Sequence, residues 1–95
     1  MKSAFELAME RLGGDVRQYS PEQKEELTEV DRLYESKIVQ AKFAAEDRRR
    51  KAAGDPKALQ QINEDLALEI RSLESKRDRR KEEMRAAFAE GGAGA

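Results

Sequence analysis

The chain has no cysteine, no histidine and no tryptophan, and its 95 residues include only two prolines. Without cysteine there is no disulfide to staple a small fold. With neither cysteine nor histidine, thiolate and imidazole metal sites are impossible and the usual nucleophile and general-base pairs are missing. No apolar run approaches the roughly 20 residues needed to span a bilayer. The opening Met1-Lys2-Ser3-Ala4-Phe5-Glu6 meets an acidic residue too early for a signal-peptide apolar region. The expectations are therefore no metal, no cofactor, no membrane partner and a cytoplasmic location. No glycine-rich phosphate loop follows a strand, and the abundant carboxylates lie along exposed helix faces. A rod of this kind has no concave pocket in which burial would shift a pKa, so a non-enzymatic protein with no small-molecule substrate and no catalytic residue is expected.

What the chain does contain is charge and helical periodicity: 41% of residues are charged and 38% hydrophobic. Ser20-Pro21-Glu22-Gln23 places a serine N-cap, a first-position proline and a glutamine at the third position, which is the capping-box arrangement. Apolar residues then recur on one stripe, at Leu27, Val30, Tyr34, Ile38, Ala41, Ala45 and Ala52. Ala53-Gly54-Asp55-Pro56 interrupts it. Glycine can end a helix in the left-handed conformation without a Cβ penalty, while Asp-Pro supplies an N-cap and a first-position proline for the next. A second stripe follows at Leu59, Ile62, Leu66, Ile70, Leu73, Met84 and Phe88. So short a connection forces antiparallel neighbours.

The fold class is thus all-α, an antiparallel two-helix coiled-coil-like hairpin preceded by a short N-terminal amphipathic helix. The whole chain, 1–95, reads as one domain, with a short helix over 3–12, a loop over 13–20 and long helices over 21–53 and 56–90. A turn at 54–55 joins the long helices, and a frayed glycine-rich tail covers 91–95. Recurrence at eleven residues (Leu27 to Ile38, Val30 to Ala41, Leu59 to Ile70, Ile62 to Leu73) implies a nearly straight or weakly right-handed pair. Folding at Gly54 sets Ala45 opposite Leu66, Ala41 opposite Ile70, Ile38 opposite Leu73 and Leu27 opposite Met84. Arg77 and Arg80 then fall on the seam opposite Tyr34 and Asp31, where a cation-π contact and an ion pair would account for them.

Two groups of residues are candidates for contact with a partner. Val39 and Phe43 lie i, i+4 on the face turned away from the seam, and Leu68 is similarly placed on the second helix. The short helix carries Phe5, Ala8, Met9 and Leu12 at i, i+3, i+4 and i+7 and is too short to be stable alone. It either docks on the open end of its own hairpin, beside Tyr19, Met84 and Phe88, or is presented to a partner. Phe5, Met9, Leu12, Val39, Phe43 and Leu68 are therefore the candidate protein-interaction residues, toward a second copy or another protein.

The second group is basic. Arg48, Arg49, Arg50 and Lys51 cluster at the expected tip and Lys76, Arg77, Arg79, Arg80 and Lys81 nearer the open end, although the chain as a whole carries 19 basic against 20 acidic residues. Cations in the last turn of a helix oppose its dipole, and Glu46 with Arg50 and Asp47 with Lys51 are spaced as stabilising pairs. The other reading of Arg48, Arg49, Arg50 and Lys51 is contact with the phosphates of a nucleic acid or a ribosome. A pI near 5.6 argues against a dedicated nucleic-acid binder. In outline the hairpin resembles the coiled-coil finger of bacterial factors that enter the secondary channel of RNA polymerase. That finger carries acidic residues at its tip, whereas here the tip is basic and Asp55 serves as a cap, so the outline supplies no function.

Overall fold

In the computed structural model, which describes residues 19–92, the chain is a hairpin of two long helices. Helix α1 runs Pro21–Lys51 and helix α2 Pro56–Ala87, with one π-helical turn, Phe88–Gly92, continuing α2. At about 1.5 Å per residue each long helix measures roughly 47 Å. The short helix expected over 3–12 and most of the 13–20 loop lie outside the described residues.

Both helix starts form as their sequences dictate. The Ser20 hydroxyl accepts from the Gln23 N–H at 3.1 Å, and the Gln23 side-chain oxygen accepts from the Ser20 N–H at 2.9 Å. Each side chain thereby satisfies a backbone donor that has no partner within the helix. At the other start the Asp55 carboxylate accepts from the Ala58 N–H at 3.1 Å, with Pro56 in the first turn.

The connection is longer than the two residues expected, because α1 stops at Lys51 rather than at residue 53. The Ala52 N–H is shared between the carbonyls of Arg48 and Arg49, at 2.9 and 3.2 Å, which tightens the last turn and carries the chain out of the helix. Gly54 then takes φ +89°, reversing the direction, and the Asp55 N–H donates to the Ala52 carbonyl at 3.0 Å.

The two helices pack along the stripes read from the sequence. Leu27, Ala41 and Ala45 are buried, while Val30, Tyr34, Ile38 and Ala52 are half-buried, as is every member of the second stripe. Ala45, at 1% exposure, is the most enclosed of them. Two cross-seam bonds fix the register: Lys81 to Asp31 at 2.9 Å and Arg49 to Asn63 at 2.8 Å. At the open end the rings of Tyr19 and Phe88 meet edge to face, 5.7 Å apart.

Several charged partners differ from expectation. Asp31 is bound by Lys81 and not by Arg80, which is exposed. The eleven-residue repeat carried forward from Ile70 arrives at Lys81, so Lys81 is the seam position. Tyr34 lies under the Lys37 ammonium, 5.5 Å from the ring centre, and not under Arg77. Arg77 instead donates to Asp78, its neighbour in sequence, and that hydrogen bond raises its pKa above the ordinary arginine value. In each case a long side chain reaches a closer partner on its own helix or one position along the seam.

Candidate protein-binding site

At the level of Ala41 and Ala45, both buried, α1 contributes only methyl groups to the seam. A groove of about 440 Å³ lies beside Leu66, lined by Val39, Lys42, Phe43, Glu46, Arg49 and Leu66. Val39 and Phe43 thus do not sit on an isolated back face. They border a gap whose floor belongs to the seam, so the apolar patch is continuous with the core.

The exposure of the larger side chains marks this region. Phe43 is 72% exposed and Val39 44%, beside Leu68 at 61% and Leu33 at 53%. Burying a Phe and a Val of this kind removes enough apolar surface to matter energetically, at about 1.5 to 3 kcal/mol for each side chain fully covered. Leu68 and Leu33 are not among the groove residues and stand as separate exposed positions. Leu33 also lies off the α1 stripe, on the side opposite Val39, and that displacement is the sequence signal that marks it. Phe5, Met9 and Leu12 lie outside the described residues.

The electrostatics of the groove are nearly balanced. Arg49, half-buried at the rim, is held by Glu46 at 2.9 Å and by Asn63 across the seam. Glu46 therefore pairs with Arg49 and not with Arg50. Lys42 makes no ion pair among the described residues, which leaves one uncompensated cation on the groove wall.

The tip is more fully engaged. Asp47 binds both Arg50, at 3.3 Å, and Lys51, at 3.1 Å. The Lys51 ammonium first, and Arg50 second, hold its carboxyl below the usual aspartate range. Of the four tip cations only Arg48 has no side-chain ion pair among the described residues.

Among the described residues no group of three or more acidic side chains is placed to hold a metal ion, and no helix is long and apolar enough to cross a membrane. No protein-family model, curated protein or solved structure matches the chain.

Proposed function

We propose that this chain is a non-enzymatic helical hairpin that works by binding protein, through a face centred on Val39, Phe43 and the groove beside Leu66. The observation that carries the reading is the exposure of Phe43, 72%, next to an apolar gap that the hairpin leaves unfilled. A large aromatic left in water beside a ready-made groove is the composition of an interface anchor. A single groove is smaller than a stable interface needs, so tight binding would require more of the rod to be covered.

Sedimentation equilibrium over a range of concentrations, at low and high salt, tests this. Self-association that is insensitive to salt and drops on Phe43→Asp supports the reading, with circular dichroism confirming that the variant remains helical. A strict monomer at every concentration, unaltered by that substitution, would remove self-association from it.

A second reading assigns the tip arginines to phosphate contact, and Arg48 is the observation in its favour. Its signature would be nucleic-acid affinity that falls steeply with salt and is lost when Arg48, Arg49 and Arg50 become alanine. The pairing of Arg49, Arg50 and Lys51 with Glu46 and Asp47 makes it the weaker reading.

A further inference from the structure

We infer that the groove beside Leu66 receives residues 3–12 of a second copy of this chain, so that two hairpins associate by exchanging their N-terminal segments. The inference rests on the protein-binding reading above and adds the occupant. Three observations lead to it: the chemistry of the groove, the pattern of the segment, and the length of chain between them.

The groove offers apolar surface from Val39, Phe43 and Leu66, with the Lys42 ammonium at its edge. Its other cation, Arg49, is already neutralised by Glu46. A matching ligand is an amphipathic helix with large apolar anchors and an adjacent acidic side chain. Residues 3–12 have that pattern: Phe5, Met9 and Leu12 recur at i, i+4 and i+7, and Glu6 and Glu10, one turn apart, each follow one of the anchors. A helix of about ten residues is not stable alone in water, so its apolar face needs cover.

Reach decides between the chain's own groove and that of a second copy. Tyr19 is held at the open end, and Val39 lies about 30 Å up the rod at about 1.5 Å per residue. The seven Cα-to-Cα steps from Leu12 to Tyr19 span at most about 24 Å when fully straight. A helix running on from Leu12 toward the tip would add about 10 Å before Phe5. With every residue of the linker extended, Phe5 and Met9 would then reach only the Val39 end of the groove and Leu12 would fall short, so the three anchors could not lie along it together. A second copy faces no such restriction and can lay all three anchors along the groove. Reciprocal exchange is a closed two-fold arrangement, in which each copy gives one segment and receives one.

The test uses the full-length chain and a labelled peptide of residues 1–18. Wild-type protein is expected to sediment as a dimer, and Met9→Asp, which disables the segment, as a monomer with helicity retained. The peptide should bind the Met9→Asp chain, measured by fluorescence anisotropy, and binding should weaken by about tenfold or more when Phe43→Asp is added. Lys42→Glu should also weaken it, and a peptide carrying Glu6→Lys and Glu10→Lys should recover part of the loss on that background.

A wild-type monomer at all concentrations overturns the exchange, even if the peptide binds. So does a peptide that fails to bind, or that binds the Phe43→Asp chain equally well. If Phe43→Asp dissociates the protein while Met9→Asp does not and the peptide is silent, the groove serves a different surface. In that case the occupant named here is wrong and the protein-binding reading survives. If neither substitution alters association and the peptide is silent, the exchange falls and self-association through this face falls with it.

Discussion

Gly54 is the residue on which the hairpin turns, and replacing it tests the turn directly. Its φ of +89° lies where a side chain is strained, yet a Cβ built there meets nothing within 4 Å. Gly54→Ala therefore introduces backbone strain and no clash. Left-handed backbone costs an L-residue about 1 to 2 kcal/mol. Removing glycine from the unfolded chain returns about 0.4 to 1 kcal/mol, which leaves a net loss near 1 kcal/mol. In a domain of this size that lowers Tm by about 4 to 8 °C. Gly54→Asn should lose less, because asparagine tolerates the left-handed region better than alanine. Thermal and urea unfolding followed by far-ultraviolet circular dichroism would measure both variants. An alanine variant as stable as the wild type, or an asparagine variant less stable than alanine, would refute this account of the turn.

Three further substitutions probe the frame. Ser20→Ala removes the acceptor of the 3.1 Å bond from Gln23 and should cost about 1 kcal/mol in urea unfolding, with Gln23→Ala losing less than an equal further amount on that background because the two bonds act together. Asp31→Asn and Lys81→Met should show a coupling on the order of 0.5 kcal/mol in a double-mutant cycle, since Asp31 remains about half exposed in the pair. The Asp47 carboxyl is held below its ordinary value by Lys51 and Arg50, so its contribution is present above the unfolded pKa and lost as pH falls through the lower folded one. Asp47→Asn should accordingly flatten the acid side of the stability profile below about pH 4 and leave the neutral side nearly parallel to wild type, which unfolding midpoints across the acid range would reveal.

Much of the frame is legible in residue order because it depends on local chemistry. The capping box at Ser20 and Gln23 and the cap at Asp55 involve partners three residues apart, so the chain itself holds them near one another. The seam is legible for a related reason: a repeat of eleven residues over three turns assigns each position to a face before any partner is known. Carried through strictly, the repeat also identifies Arg49 and Lys81 as seam residues, eleven beyond Ile38 and Ile70. Apolarity alone hides them.

The candidate site was legible only in part. Phe43 and Val39 stand out in the sequence as apolar residues off the stripe, but the gap beside Leu66 does not. It lies between side chains of both helices, so it depends on how the two are set against each other. The basic clusters mislead in the opposite direction. Six consecutive residues, Glu46 to Lys51, look like a charged tip awaiting a ligand, whereas Glu46 and Asp47 hold three of the four cations.

Sequence by itself determined where the helices start, where the chain reverses and which stripe faces inward, because caps, glycine torsions and helical periodicity act over a few residues. Tertiary structure decided which charge meets which, and that Phe43 borders a groove and not a bare face. Long side chains choose among several partners within reach, and the space between two helices belongs to neither of them alone.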